Sequence, residues 1–159
     1  MIIVSACLLG LNTRYDGNHN LCRLLLELGA AGRLLPVCPE QLGGLPTPRQ
    51  AAEISGGTGS DVLAGTAIVT DASGTDLTAP FTSGAEQVLR LASTLPVTAA
   101  ILKARSPSCG VGRIYDGTFT RTLRDGSGVT AAILARRAIP LYTELDLTPE
   151  ILRTLLAKS

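Results

Sequence analysis

The chain has 159 residues, a length that suits one domain with a substantial core, and 45% of its residues are hydrophobic while only 17% are charged. This balance excludes an intrinsically disordered protein, and a net charge of +1 without a Lys/Arg run argues against an extended nucleic-acid surface. Aromatic residues make up 3% of the chain and Trp is absent, so we expect an aliphatic core.

The amino-terminal segment MIIVSACLLG lacks the cationic start of a signal peptide, and polar residues follow too soon, at Asn12 and Arg14. The longest apolar stretch, residues 24–35, is interrupted by Glu27 and Arg33 and does not reach the length of a membrane span. We therefore predict a cytoplasmic protein with no membrane partner. In that compartment its four cysteines are expected to be reduced thiols or metal ligands rather than disulfides.

The first part of the chain is predicted to form two short buried strands separated by a helix. Ile2–Ala6 is an apolar run that ends at a cysteine, and Leu21–Ala31 has apolar residues at helical spacing before Gly32. Leu34–Val37 is the second strand. After an irregular Gly- and Pro-rich segment we expect a helical turn, a Gly-rich loop and a peripheral strand, in the order Gln50–Ile54, Ser55–Ser60 and Val62–Thr70.

The second part is predicted to contain a long helix followed by a third core strand. Thr78 is expected to cap the helix, which runs to Ser93 with Pro80 in its first turn, and Val97–Lys103 is the strand. A hairpin, a helix, a strand and a final helix follow, at Arg113–Thr122, Gly128–Arg137, Ile139–Tyr142 and Thr148–Ala157. Strands that alternate with helices indicate an α/β fold, a single Rossmann-like domain over residues 1–159 whose mostly parallel sheet is flanked by helices.

Three of the four cysteines follow predicted strands of this sheet. Cys7 ends the first strand, Cys38 ends the second, and Cys109 lies in the loop that leaves the third. Because ligands of parallel α/β sheets bind beyond the carboxyl ends of the strands, we expect the functional site at that edge, with these three thiols together. A single free cysteine is often only a small buried apolar residue. Cys22 lies early in a predicted helix, and nothing directs it to that edge.

Three thiolates from separate loops are compatible with more than one group. Structural zinc usually takes four ligands, often from paired C-x-x-C units that this chain lacks, and His19 would have to be the fourth. A thiol redox pair needs only two cysteines, usually close in sequence. Soft thiolates also fit an iron–sulfur cluster in which one iron has no protein ligand. The residue pattern alone leaves these alternatives open.

Short motifs in a fixed order extend over almost the whole chain and carry a resemblance to a known family. They are Ser5–Gly10, Arg14–Gly17, Pro36–Glu40, Gly43–Pro46, Pro48-Arg49, Glu53, Lys103, Ser106–Gly110, Ile114–Gly117 and Gly128–Ala131. In this combination the chain resembles a bacterial family, long treated as a domain of unknown function, that includes the iron–sulfur-dependent thiouracil desulfidases. Some relatives carry a further cysteine where this chain has Thr13, a difference that can reflect another substrate.

The resemblance implies a [4Fe-4S] cluster with Cys7, Cys38 and Cys109 as ligands and one open iron, expected to be lost in air. It implies non-redox removal of sulfur from a thiolated nucleobase such as 2-thiouracil, with the open iron as Lewis acid and water as the source of the new oxygen. Carried over by motif, Glu40 is the acid/base and Ser106 positions the substrate or relays protons. The expected partner is a small thiolated base or nucleoside.

Other interpretations of these residues remain. A non-catalytic module that binds a cluster, sulfide or zinc would keep the cysteines without needing Glu40. The Gly-rich segment at residues 56–60 lacks the Lys-Ser/Thr ending of a phosphate loop and precedes a predicted strand, so a flexible loop is expected. The tripeptide Tyr-Asp-Gly at residues 15–17 and 115–117 forms either two simple turns or two loops that shape a pocket. Arg49 and Lys103 are expected by default to be solvated; the alternatives are that they bind an anionic group or balance the charge of a cluster.

Overall fold

The structure is a computed structural model and describes residues 1–158. The strands are β1 Ile2–Ser5, β2 Leu34–Val37, β3 Ala52–Ser55, β4 Ile68–Asp71, β5 Ala99–Leu102, β6 Arg113–Tyr115, β7 Leu123–Asp125 and β8 Leu141–Thr143. The helices are α1 Leu26–Ala30, α2 Pro39–Leu42, α3 Gly59–Ala64, α4 Thr78–Thr94, α5 Val129–Ala135 and α6 Pro149–Ala157.

The central sheet has the strand order β2-β1-β5-β8, and every neighbouring pair in it is parallel. Ile3 of β1 is paired with Leu35 of β2 on one side and with Ala100 of β5 on the other. All residues of β1 and β5 are buried, which is typical of parallel strands that are covered on both faces and explains their unbroken apolar sequences. The predicted fold class, an α/β fold with a mostly parallel sheet flanked by helices, is confirmed.

The two faces of the sheet pack against different helices. Ile3 points into a core that includes Phe81 and Val88 of α4 and the apolar side of α5. Its neighbours Ile2 and Val4 point to the opposite face. There they pack in a second core with α1 and α6. Within residues 1–158, no helix combines the length and the apolar character needed to cross a membrane.

The last helix, α6, completes the second core. Leu152 and Leu155 of α6 are buried in the same cluster as Ile2 and Val4 of β1. The end of α6 is further tied to the β1–β2 connection by Arg33, whose guanidinium donates to carbonyl oxygens of the helix end: Leu155 at 3.4 Å, Leu156 at 3.0 Å and Lys158. The last carbonyl oxygens of a helix have no hydrogen-bond partner inside the helix, and the Arg33 guanidinium supplies donors to them.

Two predictions of helix and strand were wrong in the segment that follows β2. Residues 50–54 do not form a helical turn, because Ala52–Ser55 pairs as β3 with the antiparallel strand β4. Residues 62–70 are not one strand, because α3 occupies Gly59–Ala64 before β4 begins. The helix starts after Thr58, whose backbone N–H and hydroxyl both donate to Asp61 Oδ2, at 2.8 and 3.1 Å. The Gly-rich loop is thus shorter than predicted, and a helix follows it.

The helix predicted at residues 21–31 is broken. A 3-10 turn covers Arg23–Leu25 and α1 covers only Leu26–Ala30. Leu25 and Leu28 are fully buried, whereas Leu21 and Leu24 remain 42% exposed each, so only part of the leucine pattern marked a buried face. The hairpin predicted at residues 113–122 exists, but its second strand, β7, begins one residue beyond that range.

The long helix α4 was predicted correctly except for its cap. Thr78 is the first helical residue, and its hydroxyl accepts a hydrogen bond from Val69 N at 3.0 Å. The Asp76 carboxylate accepts from Thr78 N at 2.8 Å. The contact between Asp76 and Thr78 ties the start of α4 to the turn after β4.

The middle of α4 approaches α2 backbone to backbone. A Cβ atom on Gly84 would collide with the carbonyl oxygen of Pro39, and one on Gly43 would collide with the carbonyl oxygen of Pro80. The contact requires glycine at both positions, and it holds the short helix that directly follows Cys38.

We expect Gly84→Ala to destabilise the protein by about 1–3 kcal/mol, because the added methyl group must push α2 and α4 apart. Gly29→Ala is the matched control. Gly29 is also helical, but its Cβ would lie 3.8 Å from Leu34 Cδ1, an ordinary contact, so this change should be neutral or stabilise by about 0.5–1 kcal/mol. Urea unfolding of both variants measures the difference, and equal behaviour of the two would contradict the proposed contact.

Candidate active site

Three cysteines that are distant in sequence line one cavity of about 460 Å³ at the carboxyl ends of β1, β2 and β5. Cys7, Cys38 and Cys109 are all free thiols. Cys22 is outside this cavity and packs at the edge of the core shared by β1, α1 and α6. The structure therefore brings together the cysteines that the sequence predicted to meet, and it separates the fourth.

Cys7 lies in a buried 3-10 turn, Ala6–Leu9, that directly follows β1. Burial raises the pKa of the Cys7 thiol, while a hydrogen bond from the Asn20 side chain and the charge of Lys103 act in the opposite direction. The Asn20 amide has a fixed orientation because its Oδ1 accepts from Arg14 Nη1 at 2.7 Å. Its NH2 group is left to serve as the donor to sulfur.

Cys38 occupies the N-cap position of α2, with Pro39 as the first helical residue. Burial raises the pKa of this thiol as well, and backbone N–H groups of Gln41 and Glu40 that reach the sulfur lower it. The Sγ atom lies 3.8 Å from the carbonyl oxygen of Thr13. Cys38 thus has N–H donors from its own helix on one side and the loop after β1 on the other.

Cys109 is 4% exposed and lies in the loop Ser106–Gly110 that follows β5. Burial raises the pKa of its thiol to about 12, and the hydroxyl groups of Ser5 and Ser108 act in the opposite direction by hydrogen bonding. Ser108 Oγ lies 3.6 Å from Cys109 Sγ. Hydroxyl groups from two segments of chain therefore contact the most deeply buried of the three sulfurs.

The loop that carries Cys109 is held by the start of α5. Successive N–H groups donate to its carbonyl oxygens: Gly128 to Gly110 at 2.8 Å, Val129 to Pro107 at 2.9 Å and Thr130 to Ser108 at 2.8 Å. These N–H groups have no partners inside the helix, so the loop satisfies them. The position of Cys109 is consequently fixed by backbone contacts.

The donor set fits an iron–sulfur cluster. Thiolates are the ligands that such clusters use, and each of the three sulfurs has N–H or O–H donors beside it, which tune a cluster's potential. Among the side chains of residues 1–158, no three His, Cys, Asp or Glu groups are placed to bind one metal ion. A cluster bound through separate irons needs its cysteines farther apart than the ligands of one ion. His19, the residue considered as a zinc ligand, instead accepts from Leu21 N through Nδ1 at 3.2 Å.

Glu40 lines the cavity and forms an ion pair with Arg49, at 2.7 Å between Oε2 and Nη2. Arg49 was expected to be solvated, and this was wrong: its side chain is only 7% exposed. The guanidinium also donates to the carbonyl oxygen of Thr13 at 2.9 Å and to Thr47 Oγ1 at 2.9 Å. Arg49 therefore joins the loop after β1 to the carboxylate beside Cys38.

Lys103 was also expected to be solvated, and it is paired instead. Its Nζ lies 2.6 Å from Glu144 Oε1, and the other carboxylate oxygen accepts from Ala104 N at 2.8 Å. Lys103 N donates to Ser5 Oγ at 2.8 Å. The sequence reasoning missed Glu144, although its place directly after β8, at the same edge of the sheet, was a usable signal.

Ser106 lines the cavity, and its hydroxyl also caps the loop that carries Cys109. Its Oγ accepts from Ser108 N at 3.2 Å and from Cys109 N at 3.1 Å, and it lies 3.1 Å from Ser108 Oγ. The hydroxyl therefore stabilises the turn, and its position in the cavity is compatible with the role at the substrate that the resemblance implies.

The remaining wall of the cavity is rich in aromatic side chains. The chain contains only three Tyr and two Phe, and three of these five line the cavity: Tyr15, Tyr115 and Phe119. The two Tyr-Asp-Gly segments thus shape one pocket. Each also forms a turn, because Asp16 and Asp116 accept at 3.0 Å from the backbone N–H two residues on. The sequence reasoning missed Phe119 as a site residue.

Comparison with known proteins identifies the family. A family model described as 2-thiouracil desulfurase matches residues 2–146. The chain belongs to this family. A curated relative, "Uncharacterized protein YbbK" of Bacillus subtilis (strain 168), is 46% identical over 147 residues, which cover 92% of this chain and 97% of the relative.

The 2-thiouracil desulfurase fold is also represented among solved structures. The [4Fe-4S]-dependent thiouracil desulfidase TudS (DUF523Vcz) matches with a TM-score of 0.84 and 45% identity, over 98% of this chain and 97% of that one. The resemblance stated from the sequence motifs is confirmed, and so is the expectation of an enzyme. The cluster dependence of TudS supports the predicted iron–sulfur cofactor.

We expect Arg49→Met to destabilise the iron-free protein by about 3 kcal/mol, because it leaves the largely buried Glu40 carboxylate without its partner. Arg49→Lys should cost less, since it keeps a positive charge but loses the planar fork. Arg113→Met is the control, because its ion pair with Asp125 is exposed and should contribute nothing measurable. Urea unfolding compares the three, and a loss no larger in Arg49→Met than in the control would contradict the role of this ion pair.

Proposed function

We propose that the chain is one desulfidase domain that removes sulfur from a thiolated nucleobase with the help of a [4Fe-4S] cluster. Cys7, Cys38 and Cys109 would hold the cluster and leave one iron without a protein ligand. The observation that carries the proposal is the convergence of these thiols with Glu40 and Ser106 in one cavity. The family membership and the cluster-dependent structural relative support it.

The proposed reaction is a hydrolysis without a net redox change. A thiocarbonyl compound and one water give the carbonyl compound and hydrogen sulfide. A cluster bound to the three cysteines supplies a Lewis-acidic iron for which sulfur is a suitable ligand. The protein must then orient the base, direct a water to the thiocarbonyl carbon and move protons from the water oxygen to the departing sulfur.

Glu40 is the proposed acid/base for these proton transfers. Arg49 binds only its Oε2 atom, and none of the described residues donates to Oε1. The ion pair therefore fixes the carboxylate while one oxygen remains for water in the cavity. Through this oxygen Glu40 takes a proton from the attacking water and returns it to the sulfide.

Ser106 is the proposed positioning hydroxyl. Its oxygen already accepts from two backbone N–H groups, Ser108 N and Cys109 N, so its own proton is left to donate, either to Ser108 Oγ at 3.1 Å or, after rotation of the hydroxyl, to a group in the cavity. Hydrogen bonds accepted by a hydroxyl strengthen it as a donor. Ser106 can thus donate to the substrate or to a water near Cys109 while its position stays fixed by the loop.

The shape of the cavity supports a small planar substrate. The volume of about 460 Å³ is shared by the cluster and the substrate, and the aromatic side chains on its wall offer flat surfaces for a heterocycle. Tyr15 is itself in contact with a cation, because the Arg14 guanidinium carbon lies 5.6 Å from its ring centroid. A thiolated pyrimidine or its nucleoside is the substrate class that we propose.

We expect anaerobic reconstitution with iron and sulfide to give a brown protein with about four irons per chain. Cys7→Ser, Cys38→Ser and Cys109→Ser should each bind markedly less iron. Cys22→Ser is the matched control and should bind as much iron as the wild type, because Cys22 is outside the cavity. Iron analysis and visible absorption test this, and stoichiometric zinc with no iron in anaerobic material would contradict the cluster.

We expect Glu40→Gln to keep its cluster but to release sulfide from 2-thiouracil about 10²–10⁴-fold more slowly than the wild type, because glutamine cannot carry the proton. Glu86→Gln, an exposed change on α4, is the control and should not alter turnover. Unchanged turnover in Glu40→Gln would remove this residue from the mechanism. Absence of turnover of any thiobase by the loaded wild type would favour a non-catalytic sulfide or cluster carrier.

A further inference from the structure

Glu53 of β3 is a buried acid on the cavity wall that the proposed chemistry does not use. Glu53 is only 8% exposed. Among the residues that the structure describes, no cationic group forms an ion pair with its carboxylate. Its Oε1 instead accepts from Gly117 N at 3.0 Å and from Phe119 N at 3.2 Å. A buried carboxylate is costly unless hydrogen bonds replace its water, so these two N–H groups are essential partners.

The loop that supplies these N–H groups has a strained backbone. Gly117, Phe119 and Arg121 all have positive φ, at 92°, 58° and 60°. Such a conformation is unfavourable for a residue with a side chain, and it persists where the surroundings enforce it. Gly117 must be glycine in any case, because a Cβ there would lie 2.5 Å from the carbonyl oxygen of Ile54.

The outer side of the same loop is fixed by its own side chains. Asp116 Oδ1 accepts from Thr118 N at 3.0 Å and from Thr118 Oγ1 at 2.6 Å. A row of hydroxyls continues from Thr118 to Thr120 at 2.6 Å and on to Thr122 at 2.8 Å. The exposed threonines thus brace the loop from outside, and Glu53 holds it from the cavity side.

The strained conformation has a consequence for the cavity. In this conformation successive side chains of the loop point in alternate directions. Phe119 and Arg121 line the cavity, and Thr118 and Thr120 are exposed to solvent. Phe119 thereby becomes part of the aromatic wall, although it belongs to the exposed connection between β6 and β7.

We infer that Glu53 is a positioning residue that sets how tightly the cavity holds its planar substrate. Its carboxylate anchors the β6–β7 connection to β3 and so keeps the Phe119 ring on the wall against which the heterocycle packs. Glu53 does not touch the reacting atoms, and it acts through Phe119. For the identity of the heterocycle, a thiolated pyrimidine, this inference rests on the proposed function.

The anchor is tested by hydrogen exchange on reconstituted protein without substrate. In Glu53→Ala the amides of Gly117 and Phe119 should exchange at least about tenfold faster than in the wild type, since their acceptor is gone. Glu53→Gln keeps a carbonyl oxygen at the same place and should restore most of the protection. Asp125→Asn in the same hairpin is the control, because its side chain is 92% exposed and, among residues 1–158, forms a hydrogen bond only with Arg113.

The effect on substrate is tested by steady-state kinetics with 2-thiouracil. Glu53→Ala and Phe119→Ala should each raise KM about tenfold while kcat stays within about twofold, because only binding that is common to ground and transition states is lost. Glu53→Gln should have a KM near that of the wild type. Phe119→Ala should leave the exchange of Gly117 unchanged, and the iron content of all variants should be equal.

The outcomes separate this inference from the proposed function. Unchanged exchange at Gly117 and Phe119 in Glu53→Ala would overturn the anchor, and so would a loss of kcat at constant KM, which would place Glu53 in the chemistry. If Glu53→Ala does not fold, Phe119→Ala together with Glu53→Gln decides the question: KM must rise in the first and not in the second. If the loaded wild type turns over no thiobase, the proposed function fails, and the exchange measurement alone decides whether the anchor exists.

Discussion

The parallel pairing of β1 with β2 and with β5 is the constraint on which the site depends. Parallel strands end at the same edge of a sheet, so the loops after these three strands must meet there. Cys7, Cys38 and Cys109 each come from one of these loops, and a shift in either pairing would separate the thiols. All residues of β1 and β5 are buried, so a shift of register would expose apolar side chains or bury polar neighbours.

The loops are then fixed by backbone contacts and by a small number of side-chain hydrogen bonds. The start of α5 holds the carbonyl oxygens around Cys109, and the close approach of α4 at Gly84 holds the helix after Cys38. Around Cys7, the Arg14–Asn20 contact has the same effect. Preorganised ligands of this kind need little reordering when a cofactor binds, which makes binding more favourable.

Whether a feature could be predicted from the sequence depends on how far apart in the chain the interacting residues lie. The fold class, the edge at which the site lies and the separate place of Cys22 came from local patterns, because short apolar runs ending in cysteine are visible in the sequence. The pairing of Arg49 with Glu40, of Lys103 with Glu144 and of Glu53 with the β6–β7 connection could not be predicted, since each joins segments whose approach depends on the tertiary fold. The errors at residues 50–70 have the same origin: β3 is a strand only because β4 pairs with it.

The packing of α6 on β1 determines when this protein can fold during synthesis. Ile2 and Val4 leave the ribosome long before Leu152 and Leu155 of α6, which help to cover them. β1 also pairs with β5, which emerges from the ribosome long after it. The central sheet therefore cannot form until β5 has been synthesised. Through most of translation the thiol of Cys7 is therefore solvent-accessible and far from its two counterparts. Assembly of the complete three-cysteine site is an event that follows the emergence of β5, and full burial of β1 waits for α6.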